Sequence, residues 1–330
     1  MANESGVLVV AETAEGALVA ISFEVLGAAR RLADKLGQPV QAALLGQGVE
    51  PLAQGLIAAG ADKVYVVDAP ILAEYQTDAF VPAAEKVCRE ANPSIVLLGQ
   101  TDIGRDLGPR LAFRLGTGVA MDCLDLAISD GRLVMTRACY GGNANAQHTC
   151  KTMPQMATVR IKSQEPLAPD TSRQGQVTKV AVDIDPATVR TKITGRRKEE
   201  AEGIRLEDAE AIVGGGRGVG SAEGFQTLTQ LADLMKGAVG STRAACDAGF
   251  CSVATQIGLT GKVVSPTLYI AVGISGASQH MAGLSGAKNV VAINKDPDAN
   301  IFRYCRYGIV GDWKAVIPTF LNKVRQLKAG

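Results

Sequence analysis

The sequence predicts an α/β fold in two domains: an N-terminal domain with a parallel or mixed sheet and a C-terminal domain with a doubly wound sheet. Three observations carry this expectation. Short apolar runs alternate with stretches of helical spacing, the pattern of β-α-β units that lay strands in parallel. The alternation is interrupted by TGRRKEEAE at 194–202, a charged, nonperiodic stretch of the kind that links domains. A length of 330 residues suits about two domains at roughly 150 residues each. The expected boundaries are 1–195 for the first domain, 196–206 for the linker and 207–330 for the second.

From the N-terminus, 6–11 is an apolar run that reads as a buried strand, and 17–36 has helical spacing and stops before Gly37, a helix-ending glycine. Strand, helix and strand follow at 39–45, 52–59 and 63–67, then helix, strand and helix at 78–90, 94–98 and 103–115. The runs 124–128, 133–138, 156–161 and 177–184 have strand character with no helices between them, which predicts a mixed or antiparallel extension. Beyond the linker, strands at 211–213, 268–272 and 290–293 alternate with helices at 222–235, 277–284 and 313–327, and Val239 has strand character.

Composition excludes several classes of function. Only His148 and His280 are histidines, so a histidine-rich metal site is ruled out. Aromatics make up 4%, too few for stacking on single-stranded nucleic acid. A net charge of +1 gives no field that would draw nucleic acid or an anionic membrane. The seven cysteines, none in C-x-x-C spacing, read as reduced thiols in a cytoplasm. Apolar runs fall short of the ~20 residues that span a bilayer, so no membrane insertion is expected. The start, MANESGVLVV, has no basic segment before an apolar core. A bacterial or archaeal cytoplasm is therefore expected, and the absence of a transit peptide disfavours the mitochondrial matrix. Glycine is in excess, 37 against roughly 23 at average usage of about 7%.

Glycine gathers at strand-to-helix turns in the second domain. GGGRGVGSAEGF at 214–225 follows a strand and opens a helix, so its backbone N–H groups and Arg217 suit a phosphate. It meets G-x-G-x-x-G at Gly216 and Gly218 but has Ser221 at the third position. LYIAVGISGASQHMAG at 268–283 repeats the strand-turn-helix pattern and approaches the G-x-S-x-G elbow of hydrolases, with Ala277 in place of the last glycine. VGSTRAACDAGFCSVATQIGLTGK at 239–262 places Thr242 and Arg243 after a strand, with Gln256 and Thr260 further on. VVAINKDP at 290–297 ends a strand in Asn294, Lys295 and Asp296. Segments that follow parallel strands share one sheet edge, which argues for one extended nucleotide ligand.

These segments, with YGIVGD, GRDLGPRLAFRLGTG at 104–118 and YGGN at 140–143, resemble electron-transfer flavoprotein alpha subunits in order and spacing over nearly the whole chain. The resemblance implies an N-terminal nucleotide-hydrolase-like domain that contacts a beta subunit. It also implies a C-terminal FAD-binding domain similar to those of deoxyhypusine synthase and sirtuins. The implied partners are the beta subunit, which holds AMP or a second FAD, and flavin dehydrogenases such as acyl-CoA dehydrogenases. Residue by residue, it implies Arg217 near the pyrophosphate, Thr242 and Arg243 at the flavin, and Gln256, Ile257, Gly258, Leu259 and Thr260 along the cofactor. Ser275, Gly276, Ala277, Ser278, Gln279 and His280 would wrap the flavin side, with His280 at the C2 carbonyl. Asn294, Lys295, Asp312 and Trp313 would hold the adenosine end. Two departures stand out: Leu259 where the family often has Gln, and Cys305-Arg306-Tyr307 where an Ala-Asp-Tyr-like segment is common. The implied function is electron carriage without catalysis by the chain itself. Alternatives are a subunit of an electron-bifurcating complex that uses NADH and, in another class, a freestanding nucleotide-dependent enzyme.

Overall fold

The computed structural model describes residues 5–140, 144–195, 203–284 and 286–329. These fall into two units: residues up to Cys139 with Asn145 and the stretch to 195, and residues from 203 onward with Tyr140 and Ala144. The last three residues of the YGGN motif, 141–143, and most of the expected linker, 196–202, lie outside the described residues.

The first unit begins with β1 (Val7–Ala11), then β2 (Thr13–Ala14) and β3 (Ala17–Leu18), and α1 (Ala20–Leu36). β2 and β3 pair as a small hairpin whose central residues Glu15 and Gly16 both have positive φ, so the helix expected from residue 17 starts after it. α1 ends at Gly37 in the left-handed conformation, as its sequence predicts. β4 (Val40–Gly46), α2 (Ala53–Ala58), β5 (Lys63–Asp68), α3 (Thr77–Ala91), β6 (Ile95–Gly99) and α4 (Asp102–Leu115) follow. Then come β7 (Val119–Ser129), β8 (Arg132–Cys139), β9 (Ala144–His148), β10 (Gln155–Val159) and β11 (Gln176–Lys179).

The sheet order is β11-β5-β4-β1-β6-β10-β7-β8-β9. Side chains alternate between its faces. Val7 and Val9 enter the core beside α1, while Leu8 and Val10 enter the core beside α3 and α4. The expected antiparallel extension includes β7–β8, with β9 beyond β8 at the edge; β10 inserts parallel between β6 and β7, and β11 pairs parallel with β5 at the far edge. The strand expected over 177–184 keeps its buried alternation at Val180 but loses its ladder, because the last bond runs from the Val180 N–H to the Val66 carbonyl, near the end of β5.

The second unit holds β12 (Ala211–Gly215), α5 (Ala222–Leu234), β13 (Ala238–Ser241), α6 (Arg243–Asp247), β14 (Leu268–Val272), α7 (Ser278–Ala282), β15 (Asn289–Asn294), β16 (Tyr307–Val310) and α8 (Trp313–Ala329). All five strands are parallel, in the order β13-β12-β14-β15-β16. α5 and α8 cover one face through Phe225, Leu228, Ile317 and Leu321; loops and α7 cover the other through Ile257, Met281 and Ile301. α7 is shorter than the 277–284 expected. Gly283 lies so close to the backbone of Gly258 that a Cβ would collide there, and the helix ends before it.

Candidate dinucleotide site

From β12 the chain moves to β13 on one side and later to β14 on the other, so strand order reverses between β12 and β14. Open α/β sheets bind ligands beyond the carboxyl ends of strands at such a switch point. A cavity of about 880 Å³ lies there. That is near the upper end of the ~300–1,000 Å³ typical of ligand pockets, so it suits a long ligand. Every strand end around it contributes: Gly216–Gly218 after β12, Thr242–Ala244 and Asp247 after β13, Gly273–Ser275 after β14, and Asn294–Asp296 after β15.

The glycines of the first turn are required by neighbouring protein before any ligand. A Cβ on Gly214 would strike the Tyr269 hydroxyl, and one on Gly216 would strike the Gly273 carbonyl. A Cβ on Gly218 would sit 2.8 Å from the same carbonyl oxygen. The Gly218 N–H also donates to the Gly273 carbonyl at 3.1 Å. The turns after β12 and β14 are thus locked backbone to backbone.

Of the eighteen residues expected from sequence, fourteen line this cavity: Arg217, Thr242, Arg243, Gln256, Ile257, Gly258, Leu259, Thr260, Ser275, Ala277, Gln279, His280, Asn294 and Lys295. Gly276, Ser278, Asp312 and Trp313 do not. Gly276 is buried against the backbone of Ile301, and Ser278 is exposed beside Gln279. Asp312 caps α8, accepting the Lys314 N–H at 2.9 Å, and the Trp313 ring packs toward Gly224. Ala244, Asp247 and Ala299 line the cavity without having been expected. Asp247 had a signal in the sequence, its i+4 spacing from Arg243, and the two form an exposed ion pair at 3.5 Å.

Several polar groups at the cavity are already engaged. The Gln256 amide donates to Thr260 Oγ1 at 2.9 Å, and the Asn294 amide donates to the Ile274 carbonyl at 2.9 Å. His280 is buried between Ile257 and Tyr269, with its Nδ1 3.0 Å from the Ile257 carbonyl and its Nε2 3.0 Å from the Tyr269 hydroxyl. A carbonyl only accepts, so Nδ1 carries the proton and Nε2 accepts from Tyr269. Burial lowers the His280 pKa against the opposing Ile257 bond, so the ring is neutral with both nitrogens occupied. His280 lines the cavity, as expected, and in this arrangement its ring N–H is already given to Ile257. Tyr269, which sequence reading passed over, fixes that geometry, and the consecutive glycines at the end of β12 were its only trace.

The Thr242 hydroxyl, in contrast, is buried and meets no hydrogen-bond partner among the described residues. Arg217, Arg243 and Lys295 bring three cations to the rim against Asp247 and Asp296. Leu259 projects into solvent at 65% exposure. Arg306, of the departing Cys-Arg-Tyr segment, donates to Asn289 Oδ1 at 2.9 Å, which accounts for it as a tie between the start of β15 and the approach to β16.

A cationic, glycine-edged cavity at the switch point of a parallel sheet defines a dinucleotide-binding protein. Residues 7–185 match the Electron transfer flavoprotein domain, and residues 205–285 match the Electron transfer flavoprotein FAD-binding domain. The electron transfer flavoprotein subunit alpha of Thermoanaerobacterium thermosaccharolyticum is 46% identical over 99% of this chain and 100% of its own length. That of Megasphaera elsdenii is 45% identical over 99% of this chain and 98% of its own. Subunit LctC of the lactate dehydrogenase (NAD(+),ferredoxin) of Acetobacterium woodii is 36% identical over 97% of this chain and 77% of its own. The chain belongs to the electron transfer flavoprotein family, as an alpha subunit, and its cofactor is FAD. Alpha subunits of this family work with a beta subunit. The cavity fits that cofactor on three counts: its volume, its cationic rim and the buried Thr242 hydroxyl, which meets no partner among the described residues. Among the described residues no helix is long and apolar enough to cross a membrane.

Proposed function

We propose that the chain is the FAD-carrying alpha subunit of a heterodimeric electron-transfer flavoprotein of the bacterial cytoplasm. It passes electrons between flavin dehydrogenases, acyl-CoA dehydrogenases among them, and a downstream acceptor. The observation that carries this reading is the switch-point cavity with its three cations and its unpaired Thr242 hydroxyl. FAD, when bound, supplies the redox chemistry; the chain holds it and sets its potential. In this reading Arg217, on the turn after β12, faces the pyrophosphate, Thr242 and Thr260 face the flavin, and Lys295 faces the adenosine end. The N-terminal domain contacts the beta subunit, which holds AMP or a second FAD.

Arg243 is the tuning charge. One-electron reduction adds negative charge to the flavin, and a cation beside it favours that charge. Its side chain is 69% exposed, so water screens the effect. Arg243→Ala should keep FAD bound and lower the first one-electron potential by roughly 40 mV, the equivalent of about 1 kcal/mol. A redox titration of the purified heterodimer reads this directly, and an unchanged potential would refute the role.

The likeness to a subunit named for NAD(+) and ferredoxin favours a second reading, a bifurcating complex. Two FAD per heterodimer and reduction by NADH would select it. One FAD with AMP, and no response to NADH, would select the simple carrier.

A further inference from the structure

Two thiols meet at the end of the short helix that edges the cavity. α6 ends in a paired closure: Gly249 adopts φ 73°, its N–H donates to the Cys246 carbonyl at 2.9 Å, and the Phe250 N–H donates to the Ala245 carbonyl at 3.1 Å. The closure reverses the chain and returns Cys251 to Cys246, with the sulfurs 3.7 Å apart. Cys246 is buried, and its sulfur also lies 3.1 Å from Ser241 Oγ; Cys251 is partly exposed. A disulfide bond measures about 2.05 Å, so the sulfurs must close by about 1.7 Å; the residues after Cys251, Ser252 to Ala254, are exposed, and the Ser252 carbonyl accepts from Cys246 Sγ at 3.5 Å and Thr255 Oγ1 at 2.7 Å. Disulfides in cytosolic proteins are characteristically transient and redox-sensing.

We propose that Cys246 and Cys251 form a reversible disulfide, with a peroxide as oxidant. The more accessible Cys251 sulfur attacks the peroxide O–O bond: an S–O bond forms, the O–O bond breaks, and one water leaves. The Cys246 sulfur then attacks the Cys251 sulfur: the S–S bond forms, the S–O bond breaks, and the hydroxyl leaves as a second water with the remaining thiol proton. Two thiols lose two electrons and one peroxide gains them. A dithiol reductant reverses the reaction by exchange. Closure would act on Arg243 and Asp247, which α6 presents to the cavity; that consequence rests on the FAD reading, whereas the thiol chemistry does not.

The test uses the purified heterodimer, reduced and then exposed to hydrogen peroxide, alkylated and digested with trypsin. Both sulfurs fall in one peptide, the stretch 244–262 released by cleavage after Arg243 and Lys262. The expected result is that this peptide escapes alkylation and is lighter by two hydrogen atoms, and that dithiothreitol restores it. Cys246→Ser should instead leave Cys251 as a sulfenic acid that dimedone traps. A wild-type peptide alkylated at both sulfurs, or carrying oxygen on one sulfur without the linkage, would overturn the proposal. The wild-type mass is decisive even if the variant does not fold.

Discussion

At Thr242 a hydroxyl is buried without a partner among the described residues, and leaving such a group unmet costs about 1–3 kcal/mol. Valine has nearly the same shape and no hydroxyl. If the hydroxyl serves FAD, Thr242→Val should act with opposite signs on the two forms. The apoprotein should gain about 1 kcal/mol in urea denaturation, while FAD affinity should fall roughly five- to tenfold for one lost hydrogen bond. A variant that gains stability and keeps its affinity would assign the orphan hydroxyl to strain alone. The same residue marks how far the sequence could be read at this scale. Type and place nominated Asn294 and Gln256, the family resemblance nominated His280, and all three reach the cavity. Both His280 ring nitrogens and the amide nitrogens of Asn294 and Gln256 are nevertheless engaged, with Ile257, Tyr269, Ile274 and Thr260. Spacing places a side chain but cannot say whether its hydrogen bonds are already made.

The decisive elements are the two strand-to-helix turns after β12 and β14. Their backbones meet at Gly216, Gly218 and Gly273, so neither turn can move without the other. Gly216→Ala puts a methyl group into the Gly273 carbonyl, and a backbone atom cannot swing aside as a side chain would. The expected cost is about 1–3 kcal/mol of stability, with a marked fall in flavin bound per chain after gel filtration. Normal flavin content with an unshifted thermal midpoint would show that the turns are not locked. These turns were legible because glycine clusters between an apolar run and a helical period have few other uses. Elements without a period were not legible. β9 (ANAQH) has no apolar face, all four residues of β16 are exposed at a sheet edge, and five-residue α6 is too short to show a helical repeat. The β2–β3 hairpin merged with the helix behind it because Ala17 and Leu18 continue its apolar spacing.

Across the whole molecule, the two units carry buried titratable groups that push stability in opposite directions with pH. In the first unit, burial raises Glu12 to about 7, against hydrogen bonds from Thr101 and with a further push from Asp102. Burial likewise raises Glu24 to about 7, against the Lys162 N–H that its carboxylate accepts at 2.6 Å. A raised carboxyl binds its proton more tightly when folded. Its contribution is therefore complete below the ordinary value of 4.5 and is lost as pH rises through about 7. Asp62 does not blur this window: burial opposes, but the Val40 N–H and Arg30 and Arg173 hold it below 3.8. In the second unit, burial lowers His280 below its ordinary 6.5, so the unfolded chain takes up the proton first. That contribution is present above 6.5 and fades as pH falls toward the folded value. On acidification from about pH 7 to 4.5 the first unit should therefore gain stability, while the second loses it as pH falls below 6.5. Hydrogen exchange followed by mass spectrometry, corrected for intrinsic rates, reports each unit separately through peptides from β1 and β14. Protection should rise in β1 and fall in β14 as pH is lowered across the window. Glu24→Gln, which keeps an oxygen for the Lys162 N–H but no longer titrates, should flatten the β1 response by about half. Parallel changes in both peptides would mean that these three groups do not govern the acid side of stability.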